Sequence, residues 1–250
     1  MINNKKVVVV LPAYNAAKTL KITIDAIPKG SVDDIILVDD ASKDNTVEVA
    51  KQIGLKVFVH SKNRGYGGNQ KTCYKEALKL GADIAVMVHP DFQYDPTFIL
   101  EMIKPIADGE CDAVFGSRMK IRQNALKGGM PYWKFIANIF LTKIENFVLR
   151  NNLTEYHSGF RAYSKKVIQL PLDLNSDDFV FDTEIIVQMK IAGLKIKEIP
   201  ITTKYFPEAS QISFKRSVKY GFAILGVLLR YSLFKFGLKN YDQFNQVRTV

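Results

Sequence analysis

Five apolar runs, each six to eight residues long, constrain this chain more than any other feature. They are "KVVVVLP" (6–12), "DIILVDD" (34–40), "LKVFVH" (55–60), "DIAVMVHP" (83–90) and "CDAVFGSR" (111–118). Apolar residues occupy both parities of each run, so neither face of the strand is polar. That is the pattern of parallel strands buried on both sides. The segments between the runs read as helices. "NAAKTLKITIDAI" has Asn15 as its candidate N-cap, and "DNTVEVAKQIG" has Asp44 as cap and Gly54 as stop. "NRGYGGNQ" reads as a Gly-rich loop feeding a helix that ends at Gly81, and Asp95-Pro96 opens another helix. Strands and helices in this alternation predict an α/β fold, a Rossmann-like and mostly parallel sheet flanked by helices.

The second half is less regular. "PYWKFIANIFLTKIENFVLRN" predicts a long amphipathic helix rich in aromatics. "SGFRAYSKKVIQL" reads as a turn and a helix, and "FDTEIIVQMKIAGLKIKEIPITT" as a helix, a turn at Gly193 and a strand. Near the end, "SFKRSVKYGFAILGVLLRYSLFKFG" places basic residues before an apolar helix. Its longest unbroken apolar stretch, 221–229, is far below the roughly 20 residues of a membrane span. The expectation is a helix lying on a membrane surface or packed on the protein. The run before Pro12 is likewise too short for a signal sequence or a span. The division expected is a domain over 1–213 and a basic, apolar helical extension over 214–250.

Charge separates the halves. Residues 1–117 carry 14 Lys/Arg against 15 Asp/Glu, whereas 118–150 carry seven against one and 195–250 carry ten against three. Concentrated positive charge suits an anionic partner: phosphate or an anionic membrane surface. No nucleic-acid-binding module accompanies it, so nucleic acid is not the expected partner. Cys73 and Cys111 lack metal-ligand spacing and read as buried free thiols.

Open parallel sheets bind ligands beyond the carboxyl ends of their strands. There the sequence places Pro12, Ala13, Tyr14 and Asn15, then Asp39-Asp40, then Asn63 to Gly68, then His89, Asp91 and Gln93, then Arg118. The motifs "VVVVLPAYNAAKTL", "IILVDDASKDNT", "NRGYGGNQ", "VMVHPDFQYDP", "FGSR" and "HSGFRAYSKK" together resemble the family 2 glycosyltransferases of GT-A fold, nearest to the polyprenyl-phosphate (dolichyl-phosphate) sugar synthases. The likeness runs from about residue 6 to 213.

The resemblance implies an inverting, metal-dependent transferase that moves a sugar from a nucleotide-diphosphate donor (UDP or GDP type) to a polyprenyl phosphate. It implies a peripheral location on the cytoplasmic face of the membrane. Donor binding falls to Pro12, Ala13, Tyr14, Asn15, Asp39, Asp40, Gly68, His89 and Asp91. Asp40 reads equally as a turn or cap, and the Gly-rich loop as purely structural. Asp91 and Gln93 match the later part of a D-x-D-x-Q metal motif and suit Mg²⁺ or Mn²⁺. His89 stands where the family has its first Asp, and reads as a donor to the nucleotide sugar, a ligand or a residue shaping the loop.

Catalytic candidates are Asp91, Arg118, Glu155 and Arg161, with Asp182 and Glu184 as further carboxylates. Glu155 replaces a family Asp and reads as a base or as an organiser of the acceptor site. Acceptor binding falls to Arg122, Ser158, Lys215 and Arg216, with a mobile loop suggested by Gly128-Gly129. "TKYFPEASQISFKRS" resembles the family's acceptor-lipid loop. A sugar or small-molecule hydroxyl as acceptor, a non-catalytic nucleotide- or membrane-binding protein, and a homo-oligomer are the other readings that the sequence leaves open.

Overall fold

The computed structural model describes residues 2–204 and 213–249. In chain order the elements are β1 (Val7–Ala13), α1 (Leu20–Asp25), β2 (Asp34–Asp39), α2 (Thr46–Gln52), β3 (Lys56–Val59), α3 (Gly65–Lys79), β4 (Ile84–Met87) and α4 (Ile99–Ala107). They continue with β5 (Ala113–Ser117), α5 (Arg122–Lys127), α6 (Tyr132–Leu149), β6 (Arg161–Ser164) and α7 (Lys165–Ile168). The last are α8 (Phe181–Ile191), β7 (Ile196–Pro200), α9 (Phe214–Lys235) and α10 (Asp242–Asn245).

Seven strands make one sheet in the order β3-β2-β1-β4-β6-β5-β7. The sheet is mostly parallel, as expected: β1 pairs with β2 and β4, β2 with β3, and β5 with β7, all in parallel. All of β1, β4 and β5 is buried. Val7, Val9 and Leu11 pack on one face with Leu20, Ala50, Ile99 and Ile103. Val8 and Val10 pack on the other with Tyr74, Phe181, Ile185 and Ile224. Alternate side chains of one strand thus feed two cores, which is why the run shows no polar parity.

Three local expectations change. Residues 161–164, read within a turn and a helix, form β6, which lies antiparallel to both β4 and β5. Four residues, "RAYS", are too few to show a period. The Gly-rich stretch is helical, with α3 starting at Gly65. A Cβ on Gly67 would stand 2.3 Å from the carbonyl oxygen of Ser176, so glycine there permits close packing of backbone on helix. Asn15 does not cap α1. It sits at φ +53°, and its Oδ1 accepts from the Lys43 amide at 2.8 Å, tying the β1 end to the loop after β2.

The two long helices of the second half pack unlike the others. On α6 the buried polar residues are Asn138, Thr142 and Glu145, whereas Tyr132, Ile136, Phe140 and Phe147 point outward, Phe147 at 85% exposure. On α9, Ile224, Val227, Leu228 and Tyr231 join the larger core while Phe214, Val218, Phe222 and Leu229 are exposed. By length and composition α9, with mean hydropathy 1.2, is the one helix among the described residues that is long and apolar enough to cross a membrane. Its inner face is nonetheless fixed by Arg230, whose Nη2 donates to Glu184 at 2.7 Å. Cys73 and Cys111 are buried and unpaired.

Candidate active site

The carboxyl ends of β1, β2, β4 and β5 converge along one edge of the sheet. Asn69 on α3 ties the first two together, its Nδ2 donating to the carbonyl oxygens of Ala13 (3.4 Å) and Val38 (3.0 Å). Asp39 is 1% exposed. Its Oδ2 accepts from the Ser42 amide at 2.9 Å, but its Oδ1 is buried with no hydrogen-bond partner. A buried acceptor without a donor is costly unless a ligand supplies one. Pro12 and Ala13 are buried beside it, and Tyr14 is half exposed.

Asp40 is engaged internally. It accepts from the amides of Arg64 (2.7 Å) and Gly65 (3.0 Å) and meets His60 Nδ1 at 2.8 Å, so it fixes the start of α3. Gly68 stands against Arg64 Cβ and the Asp177 carboxylate, which gives it a packing reason.

A cavity of about 250 Å³ opens at the end of β4. His89, Asp91 and Gln93 form one wall, Arg118 another, and α6 and α9 supply Trp133, Lys134, Asn138 and Tyr220. Phe92 is held at φ +55°, and the Gln93 amide donates to Asp91 Oδ1 at 3.0 Å, a tight turn that presents both side chains together. No cluster of three or more His, Cys, Asp or Glu side chains capable of holding a metal occurs among the described residues. The donors present are therefore one carboxylate and one amide oxygen. They fit a hard divalent cation whose other positions are filled by diphosphate oxygens and water, as Mg²⁺ sites often are.

His89 stacks on Tyr66 with ring centroids 5.6 Å apart. A Cβ on Gly159 would come within 2.7 Å of its Nε2. Burial lowers its pKa, against the opposing charge of Asp91, so the neutral ring is favoured.

Arg118 and Glu155 form a buried pair. Glu155 Oε1 accepts from Arg118 Nε (2.8 Å), from Arg118 Nη2 and from Asn138 Nδ2 (2.8 Å), and its Oε2 accepts from the Arg118 amide (2.7 Å). Burial pushes the Glu155 carboxyl up, but the charge and hydrogen bonds of Arg118, with Asn138, outweigh this and hold it below the usual carboxylate range. Both of its oxygens are thus committed to Arg118 and Asn138. Arg161 does not reach the cavity. It is fully buried, its Nε donates to Ser158 O (2.8 Å) and its Nη2 to Tyr156 O (2.6 Å), and it pairs with Asp182 at 3.4 Å. Asp182, which lines the cavity, also accepts from Tyr66 (2.9 Å) and Gln70 (3.2 Å).

Ser158 is buried behind the cavity wall, while Arg122 and Lys215 are exposed beyond it. Arg216 lies over Phe179 at 5.8 Å and lines a smaller adjoining recess. A Cβ on Gly128 would stand 2.3 Å from the carbonyl oxygen of Thr203, so that glycine packs against the chain. Residues 205–212 of the loop likened to an acceptor-lipid loop lie outside the described residues.

Sequence reasoning missed Lys134, Asn138, His157 and Tyr220. Lys134 has no carboxylate within ion-pair distance among the described residues, and its ammonium lies by the Trp133 ring at 5.4 Å. Burial, then the charge of Arg118, lowers its pKa. The available signal was the polar stripe 138, 142, 145 on a helix otherwise rich in aromatics.

Comparison with known proteins gives a consistent result. The model of "Glycosyl transferase family 2" matches residues 8–170. An uncharacterized protein of Methanocaldococcus jannaschii is 36% identical over 239 residues, covering 93% of this chain and 95% of its own. The UDP-N-acetylglucosamine–dolichyl-phosphate N-acetylglucosaminyltransferase of Methanococcus voltae is 33% identical over 220 residues, 81% of this chain and 87% of its own. Among solved structures, glucosyl-3-phosphoglycerate synthase of Mycobacterium tuberculosis with Mn²⁺, UDP and phosphoglyceric acid superposes with a TM-score of 0.70 at 18% identity, covering 91% of this chain and 78% of that one. The same synthase has been crystallised with Mg²⁺ and UDP. At this identity the likeness is one of fold.

Proposed function

We propose, for a chain that belongs to glycosyl transferase family 2 and is a glycosyltransferase, that the donor is a uridine-diphosphate sugar and the acceptor a polyprenyl phosphate. One observation carries this reading. The cavity that holds Asp91 and Gln93 is walled by the inner faces of α6 and α9, whose outer faces are apolar and exposed. A head group bound there would have its hydrocarbon tail beside Trp133, Ile136 and Phe214, at a surface suited to a bilayer. The name of the Methanococcus voltae relative supports the same acceptor class.

In this reading Asp39 Oδ1 accepts a hydrogen bond from the nucleoside, and Tyr14 lies against the base. Asp91 and Gln93 would hold Mg²⁺ or Mn²⁺, which, when bound, neutralises charge on the diphosphate leaving group. Arg118, fixed by Glu155, faces the same anionic groups. The acceptor phosphate is largely dianionic at neutral pH and needs no base. Its oxygen attacks the anomeric carbon as the bond to the diphosphate breaks, and the carbon inverts. A hydroxyl acceptor would need a base. Of the candidate carboxylates, Glu155 has both oxygens engaged and Asp182 is already held by Tyr66, Gln70 and Arg161.

The test is a screen of nucleotide sugars with a short-chain polyprenyl phosphate and added Mn²⁺. Formation of a glycosyl phospholipid with one uridine nucleotide sugar is expected. Transfer to soluble hydroxyl acceptors alone would overturn the acceptor assignment.

A further inference from the structure

Beside the cavity stands a second buried acid–base pair, of which His157 lines the wall, and nothing in the reading above uses it. Glu145 lies on the inner face of α6 with its side chain 0% exposed, and His157 Nε2 stands 2.9 Å from its Oε2. Neither carboxylate oxygen has a hydrogen-bond partner, and the imidazole approaches off the line of a good hydrogen bond. The contact is therefore an ion pair within close range whose alignment is incomplete. A fully buried carboxylate needs a polar partner, and His157 is the one within reach.

The surroundings fix which way the ring faces. The His157 carbonyl oxygen accepts from Arg118 Nη2 at 3.1 Å, which anchors its backbone at the cavity wall. Tyr220 of α9 packs edge-on against the ring with centroids 5.9 Å apart. With Nε2 turned to Glu145, Nδ1 is the nitrogen left for a ligand, and it has no hydrogen-bond partner among the described residues. The other charged groups facing the same cavity are Arg118, Lys134, Asp91 and Asp182. Arg118 and Asp182 are already paired.

We propose that His157, held by Glu145, donates a hydrogen bond from Nδ1 to the phosphate of the acceptor and so selects a phosphate head group over an alcohol. Glu145 is the positioning residue: it orients the ring. The inference rests on the phosphate-acceptor reading and goes beyond it by assigning the head group a specific recognition site.

The experiment measures binding of farnesyl phosphate and of farnesol to the full chain, alongside binding of the nucleotide sugar chosen by the screen. His157→Gln is expected to weaken farnesyl phosphate binding roughly ten- to hundredfold, the range for losing a charge-assisted hydrogen bond, and to leave farnesol and nucleotide binding unchanged. Glu145→Gln is expected to act in the same direction. The double variant should be no worse than His157→Gln alone, because the two side chains act as one unit. A purely structural pair would lower both ligands' affinities together.

Farnesyl phosphate affinity within twofold of wild type in both variants would overturn the proposal while leaving the acceptor reading standing, provided the wild-type protein transfers sugar to polyprenyl phosphate. Loss of nucleotide binding together with farnesyl phosphate binding would also overturn it, by making the pair a core contact. A wild-type protein that neither binds farnesyl phosphate nor transfers to a polyprenyl phosphate would overturn both.

Discussion

The strand-end edge of the sheet and the helical wall of the cavity are built on opposite rules. Along β1, β2 and β4 the buried surface is almost wholly apolar and the polar groups sit at the strand ends. On α6 the polar residues Asn138, Thr142 and Glu145 are buried, and Tyr132, Ile136, Phe140 and Phe147 are exposed. A helix in water alone places its apolar stripe inward. On α6 those polar residues share the inner side with Leu141, Ile144, Val148 and Leu149, so the helix turns a mixed face to the cavity while its outer face, like that of α9, is apolar and exposed. One half of the protein is organised around its own core; the other lines a polar cavity with helices whose outer faces are apolar and exposed.

The sharpest way to break this contrast is at the point where the halves meet. Asp91→Asn is expected to lower kcat by at least about a hundredfold, since in the proposed reading it removes a metal ligand and with it several kcal/mol of charge stabilisation. A steady-state assay across Mn²⁺ concentrations checks it, and undiminished activity would remove the metal assignment. Next in size is the Arg118–Glu155 pair. Arg118→Met leaves a carboxylate buried without its partner and is expected to cost about 3–5 kcal/mol of stability. Arg118→Met with Glu155→Met should recover most of that, as read by urea denaturation, whereas simple additivity would show that the pair is not coupled.

The outward face gives a smaller effect. Phe140→Asp and Phe222→Asp are each expected to weaken liposome binding about tenfold, with little change in thermal stability, because each ring is exposed in the folded chain and, in the proposed reading, would bury its apolar area on a bilayer. Unchanged liposome sedimentation would confine the apolar face to another role. At the donor edge, Asp39→Ala should raise the nucleotide dissociation constant about tenfold, the scale of one hydrogen bond to a charged acceptor.

The mildest test is acidification. The folded Glu155 carboxyl is held below its ordinary value, so its stabilisation is present above the usual carboxylate range and disappears as pH falls through the folded value. The melting temperature of the wild type should therefore fall more steeply below about pH 4 than that of Glu155→Gln. Parallel slopes would show that other carboxylates dominate.

The same contrast explains what the sequence disclosed. β1 to β5 were legible because five long runs, apolar on both parities, have few other uses. Asp91, Gln93 and Asp39 were legible because strand ends in a parallel sheet are where ligands bind. β6 was not legible, since its four residues show no period and include Arg161, a charge that only its partners Tyr156, Ser158 and Asp182 make tolerable in a core. Glu155 could be located but not interpreted, because whether a carboxylate is a base or a brace depends on which donors reach it. Lys134 and Asn138 were hidden for a related reason. Their helix looks amphipathic, and only the packing shows that polar residues share its inner side.

The position of β6 has a consequence for how the chain is made. Consecutive strands β4 and β5 do not touch. They are joined only through β6, which pairs with both. A growing chain that ends before residue 161 therefore holds β3-β2-β1-β4 as one piece and β5 without either of its native neighbours, with the β4 edge open. The strand that closes the gap arrives some forty residues after β5, counting from Ser117 to Arg161. Until then the open edge is exposed to mispairing, and the sheet becomes a single cooperative unit only when that late strand is inserted.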